Sequence, residues 1–134
     1  MSTPKFSLEV VTPDGIVFQR EVVSLRAPGE NGQFGVLANH APMMTGLDTG
    51  YIEVKDENAS YFLAISGGYA EVLPHKTIIL AETAELKENI DVERAQAALR
   101  RAQQRLLHPE PEIDIERARL SMARALNRLK VTKL

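Results

Sequence analysis

Asp91 and Arg94 stand three residues apart in Ile90-Asp91-Val92-Glu93-Arg94-Ala95, and Asp114 and Arg117 repeat the pair in Ile113-Asp114-Ile115-Glu116-Arg117-Ala118. The offset between the copies is 23 residues, 113 − 90. Each copy reads as a helix start: Ile just outside, Asp at the N-cap, Glu in the first turn. The residues behind these starts are unevenly charged. From Ile115 onward there are six basic residues, Arg117, Arg119, Arg124, Arg128, Lys130 and Lys133, against Glu116 alone. Residues 1–90 carry twelve acidic and six basic side chains, residues 91–134 six and ten. A basic terminal helix on an acidic body calls for an acidic partner, which is the body itself, another protein or a phosphate ligand. A solvated helix face remains the plain alternative.

The elements that position these residues follow from the rest of the chain. His108-Pro109-Glu110-Pro111-Glu112 separates the copies and cannot continue a helix, because proline lacks the N–H and clashes with the preceding turn. Val92, Ala95, Leu99, Ala102 and Leu106 recur at helical spacing before it, and Ile115, Ala118, Met122, Ala125 and Leu129 after it. A short connection favours antiparallel neighbours, so the two stripes face one another. Alanines allow a close approach but bury little area, so the seam is weak and the sequence permits a mobile hairpin.

Residues 6–83 have a different rhythm. Phe6-Ser7-Leu8-Glu9-Val10 alternates apolar and polar, and Thr12-Pro13-Asp14-Gly15 is turn chemistry. Further strands are expected at 16–20, 22–27, 33–37, 51–55, 61–66, 69–73 and 77–81, with Gly67-Gly68 as a tight turn. The polar stretch from Glu82 to Asn89 reads as a connector. The expected division is a β-sandwich over 1–84, a connector over 85–90 and a helical hairpin over 91–134. No cysteine is present, which excludes disulfides and thiolate metal sites. No apolar run near Met1 to Lys5 resembles a signal peptide, and none approaches the ~18 residues of a membrane span. A cytoplasmic protein is expected. His40, His75 and His108 lack ligand spacing, so no metal site is expected, and Ser66 has no His and Asp partnership for nucleophilic catalysis.

Several segments resemble the epsilon subunit family of F-type ATP synthases. Gly32-Gln33-Phe34-Gly35-Val36-Leu37-Ala38-Asn39-His40-Ala41-Pro42-Met43-Met44 is similar to a Gly-x-hydrophobic-Gly-Ile-Leu-Pro-Gly-His-Ala-Pro-Leu-Leu stretch of that family, with Ala38-Asn39 where Pro-Gly is usual. Ser66-Gly67-Gly68-Tyr69-Ala70-Glu71-Val72, Ile78-Ile79-Leu80-Ala81-Glu82 and Leu126-Asn127-Arg128-Leu129 match further segments in order. The resemblance implies an N-terminal β-sandwich of about ten strands followed by an antiparallel two-helix hairpin. It implies a non-catalytic rotor subunit, peripheral on the cytoplasmic face of the bacterial membrane, that couples proton flow to ATP synthesis. The implied partners are the gamma subunit, the c-subunit ring and the beta and alpha subunits. Glu30, Asn31, Gln33 and His40 are implied to face the c ring. The hairpin is implied to permit hydrolysis when folded down and to block it when extended, with Arg117, Arg119, Arg124, Arg128 and Lys130 against an acidic region of beta.

No cofactor is required by the resemblance, but ATP is implied as a regulatory ligand. The positions that match the family's ATP site are Glu85, Ile90, Asp91, Arg94, Ala95, Arg101, Arg124 and Arg128. Arginine forks bind phosphate bidentately, a carboxylate accepts from an amino or hydroxyl group, and a small alanine leaves room for a base. Two other readings stand beside this one: a stand-alone ATP-sensing module, and a nucleic-acid-binding module. The acidic body and an aromatic content of 5% count against the second, because stacking platforms are scarce. Co-purification with rotor subunits separates the stalk reading from both.

Overall fold

The computed structural model describes residues 3–134. Eight strands come first: β1 (Phe6–Thr12), β2 (Gly15–Val22), β3 (Ser24–Gly29), β4 (Gly32–Leu37), β5 (Met43–Leu47), β6 (Gly50–Lys55), β7 (Ser60–Val72) and β8 (Lys76–Leu86). A short 3-10 turn (Lys87–Asn89) leads to α1 (Val92–Leu107) and α2 (Ile115–Val131). Hydrogen bonds link the strands in the order β2-β1-β8-β7-β5-β3-β4, with β6 paired to both β3 and β7. The strand count is eight where about ten were expected.

The missing count is explained by β7. Its first half, Ser60–Ile65, pairs with β6, and its second half, Gly68–Val72, pairs with β5. Gly67 and Gly68 therefore lie within one strand and are not the tight turn expected between two. They have φ 56° and 121°, a region that favours glycine. A Cβ at Gly68 would run into the Leu80 carbonyl. The bend lets one strand pass from one layer of the sandwich to the other. β3 does the same, pairing with β6 at Ser24–Arg26 and with β5 at Gly29. β5 itself was not anticipated: Met43 packs against the core, but Met44 is exposed, as alternation in a strand requires.

Strand β8 also exceeds its expected end at 81. It pairs in parallel with β1 through Lys76–Leu80 and continues against β7 to Leu86. Glu85 and Leu86, assigned by sequence to the connector, are therefore strand residues. Asn39, in the turn where glycine is usual, takes φ 66° and donates to the Pro74 carbonyl at 2.8 Å. Asparagine is one of the few side chains that enters this region readily, so the substitution is accommodated. The core between the layers is built of Phe6, Leu8, Val10, Leu25, Ile52, Val54, Leu63, Ile65, Val72 and Ile79, all nearly or fully buried.

Both helix starts form as expected. Asp91 and Asp114 sit at the N-caps, and each side chain accepts from the backbone N–H three residues on, at 3.1 Å. Ala95 and Ala102 of α1 meet Ala118 and Ala125 of α2 in a buried seam. Val92 and Ile115, the first apolar residues of the two stripes, are exposed.

Candidate functional site

The hairpin is folded down onto the sandwich, and its last turn makes the contact. Val131 is fully buried in a cluster with Ala64 of β7 and Ile90, flanked by Tyr51 and Phe62. Asn127 Nδ2 donates to the Gly50 carbonyl at 2.7 Å. Arg128 Nε donates to Glu85 Oε1 at 2.5 Å. Lys87 Nζ reaches the Leu134 carbonyl. The Lys130 and Lys87 ammonium groups stand 5.8 and 5.9 Å from the Tyr51 and Phe62 ring centroids. One buried valine contributes about 1.5–3 kcal/mol. The Arg128–Glu85 pair, about one-third exposed, adds at most about 1 kcal/mol because solvent screens it.

Above this contact lies a cleft of about 340 Å³ between β8, the β1–β2 turn and the two helices. Its walls bring together Glu85, Asp91, Arg94, Ala95 and Arg128, five of the residues singled out from the sequence. Ala95 forms a buried wall and Asp91 caps α1 while facing the cleft. The remaining three residues lie elsewhere. Ile90 is buried in the apolar cluster behind the cleft. Arg124 lines a small adjoining cavity with Ser66, Thr83 and Arg128 and donates to Ser121 Oγ at 3.1 Å. Arg101 lies farther up α1, in an open groove with Arg105.

Thr12, Asp14, Glu82, Thr83, Ala84 and Asn89 complete the cleft. None was identified from the sequence, because Thr12 and Asp14 reach the site only through the parallel pairing of β1 with β8. No local pattern carries that information. The cleft is mixed in charge: Arg94 and Arg128 can fork onto phosphate, and Asp14, Glu82, Glu85 and Asp91 can accept from hydroxyl or amino groups. Among the described residues, Arg94 makes no ion pair and Arg128 is held by Glu85.

The other expected contact residues are more dispersed. On α2, Arg117, Arg119 and Lys130 are exposed, while Arg124 and Arg128 are half-buried toward the sandwich. Arg119 has only a loose pair with Glu116 at 3.9 Å. Glu30 and Asn31 form the β3–β4 turn, with the Glu30 carboxylate lying over Gly46. Gln33 accepts from Arg26 Nη2 at 3.0 Å. His40 lies beyond the other end of β4, its Nδ1 2.6 Å from the Ala41 carbonyl. At ~3.3 Å per residue, the strand holds the two ends roughly 17 Å apart. Among the described residues no cluster of three or more potential metal ligands occurs, and no helix is long and apolar enough to cross a membrane.

Fold and cleft together define a two-part protein: a β-sandwich, with a helical hairpin closed against it over a charged cleft. Residues 5–87 match the β-sandwich domain of the ATP synthase Delta/Epsilon chain, and residues 88–133 match its long alpha-helix domain. The chain belongs to the ATP synthase Delta/Epsilon chain family. It is 42% identical to the ATP synthase epsilon chain of Desulforamulus reducens, over 94% of this chain and 96% of that one. It is 43% identical to the epsilon chain of Bacillus pumilus, over 92% and 94%. Among solved structures, a chain of the Euglena gracilis mitochondrial ATP synthase (OSCP/F1/c-ring) superposes with TM-score 0.81 at 25% identity, over 100% of this chain and 85% of that one. A chain of the Tetrahymena thermophila mitochondrial ATP synthase central stalk and c ring shares the fold, with TM-score 0.62 at 12% identity over 98% and 99%. The function is that of a non-catalytic central-stalk subunit of the ATP synthase.

Proposed function

We propose that the sandwich is the coupling part of this subunit and the hairpin its regulator, with the cleft as a receptor for ATP. The observation that carries this is the convergence of Glu85 at the end of β8, Asp91, Arg94 and Ala95 at the start of α1, and Arg128 from the far end of α2 on one cleft. ATP seated there touches β8, α1 and α2 at once, so its binding energy stabilises the docked state. Arg124 and Arg101 extend the phosphate-binding side, and Ile90 supports the cleft from behind. When the hairpin is released, Arg124 and Arg128 join the already exposed Arg117, Arg119 and Lys130 against an acidic segment of the beta subunits, and hydrolysis is blocked. Salt weakens such a contact.

The gamma subunit is assigned to the outer sheet face. Ile16, Val11, Leu80 and Tyr69 are directly paired neighbours across β2, β1, β8 and β7. Ile16, Leu80 and Tyr69 are large and mostly exposed, and Met44 lies in the next row of the same face. Exposed apolar rows of this kind mark protein contacts. The c ring takes the turn with Glu30, Asn31 and Gln33, or the far end with His40. The subunit thereby couples proton flow to rotation and sits at the cytoplasmic face of the bacterial membrane through its complex.

Isothermal titration of the intact chain with ATP tests the receptor role. Saturable binding that Asp91→Ala/Arg94→Ala abolishes supports it. No binding to the unaltered chain leaves the stalk function intact and reduces Asp91 to a helix cap.

A further inference from the structure

The 23-residue repeat extends beyond its first six residues. Aligned on Ile90 and Ile113, it brings Arg94 onto Arg117, Arg101 onto Arg124 and Arg105 onto Arg128. The seam alanines correspond as well, Ala95 with Ala118 and Ala102 with Ala125. Each arginine triad therefore holds the same angle to the buried seam. At about 100° per residue, all six fall within one quadrant to the same side of their alanines. Two antiparallel helices packed through equivalent seams are related by a pseudo-twofold axis normal to the hairpin plane, and that axis keeps both triads on one side. The contacts agree. Arg94 and Arg128 line one cleft and Arg124 and Arg128 share a cavity, while Arg101 and Arg105 border an open groove on α1 alone, with Arg100 on its far edge.

The outcome is a ladder of six arginines along a single side of the hairpin. From Arg94 to Arg105 it runs eleven residues, roughly 16 Å at ~1.5 Å per residue. Ala98 and Ser121, equivalent in the repeat, are the small residues near its middle. The two ends differ. At the base the arginines share the cleft with Asp14, Glu82, Glu85 and Asp91. Toward the tip, Arg101, Arg105 and Arg117 make no ion pair among the described residues.

We infer that the hairpin side is a trough for a linear polyphosphate anion longer than a triphosphate, with Arg105 and Arg117 as its outer rung. The inference rests on reading the cleft as an anion site. The carboxylate-lined base suits the hydroxyl and amino donors of a nucleoside, while toward the tip the three forks of Arg101, Arg105 and Arg117 have one carboxylate near them, Asp114, the equivalent of Asp91. A phosphate chain continuing from the cleft meets a fresh pair of arginines that a nucleoside triphosphate leaves unused. Spacing repeated in both helices, without intervening acid, is more than a solvated face requires.

The test is isothermal titration of the intact chain with inorganic polyphosphate of medium chain length, with tripolyphosphate and with ATP. The variants are Arg105→Ala/Arg117→Ala and, as a control of equal charge loss away from the ladder, Arg119→Ala/Lys133→Ala, both exposed. The expected result is tighter binding of the longer anion than of tripolyphosphate. In Arg105→Ala/Arg117→Ala that preference falls by about tenfold or more, since each charge-assisted contact to phosphate is a strong one. The control keeps the preference. Circular dichroism checks the hairpin, and Arg105→Lys/Arg117→Lys, which keeps charge and loses the fork, replaces the alanine pair if helicity falls. No chain-length preference, or equal loss in both double variants, overturns the trough. Loss of ATP binding alone, with the polyphosphate preference retained, overturns the ATP reading of the cleft and leaves the trough standing.

Discussion

The sandwich and the hairpin are held together by different means. Between the sandwich layers, Leu8, Leu25, Ile52, Leu63, Ile65 and Ile79 are almost completely removed from water. Between the helices the equivalent positions are Ala95, Ala102, Ala118 and Ala125, and the hairpin meets the sandwich through little more than Val131, Ile90 and a few polar contacts. A leucine side chain buries several methylenes more than an alanine, each contributing about 0.8 kcal/mol. The same chain thus contains one part held by a large apolar core and one part held by far less buried apolar area.

The largest expected effect breaks the sandwich side of this contrast. Leu63→Ala is expected to cost about 2–5 kcal/mol, read as a large fall in the denaturant midpoint of the whole chain. Gly68→Ala is expected to be comparably damaging at a position with no apolar burial to lose, since its Cβ meets the Leu80 carbonyl at a positive φ. A tolerated alanine there refutes the bend as drawn.

Changes on the hairpin side should be smaller and local. Val131→Ala is expected to weaken docking by about 1–2 kcal/mol, seen as faster proteolysis of α2 with the sandwich midpoint unmoved. A drop in the sandwich midpoint instead makes the two parts one cooperative unit. Glu85→Gln, which removes the carboxylate partner of Arg128, is expected to shift docking by at most about 1 kcal/mol and to lose most of its effect in high salt.

The smallest effect concerns pH. The backbone N–H groups of Asn58 and Ala59 hold the Asp56 carboxyl below the usual carboxylate range, with help from Tyr61 and Arg20. A depressed folded-state pKa favours folding above the unfolded-state value and loses that contribution as pH falls through the folded-state value. Asp56 is therefore expected to titrate below an ordinary aspartate when followed by NMR, and Asp56→Asn to flatten the acid side of the stability profile slightly. An ordinary titration removes the turn's contribution.

Much of this division was legible in the residues. The Asp91 and Asp114 caps, the alanine seam and the Pro109–Pro111 break are local signals with local causes, and each element formed where its pattern begins. The strands were less so. Gly67-Gly68 has the composition of a turn, but its positive φ angles serve a bend inside β7, a choice set by pairing on both sides. Glu85 reads as linker because it is polar, yet β7 holds it in β8. In the cleft, Arg94 and Arg128 were marked by the family resemblance, whereas Thr12 and Asp14 arrive by topology alone. Arg101 shows the converse: a recurring position that the fold places one rung above the cleft.

The most direct measurement is amide hydrogen exchange of the intact chain, with and without saturating ATP. Amides of α2 are expected to exchange through an opening of far lower free energy than those of β7 and β8. ATP at a hundred times its dissociation constant is expected to slow α2 exchange by about a hundredfold and leave the sandwich core unchanged. Exchange of α2 at the rate of the core, indifferent to ATP, contradicts a releasable hairpin closed by a ligand.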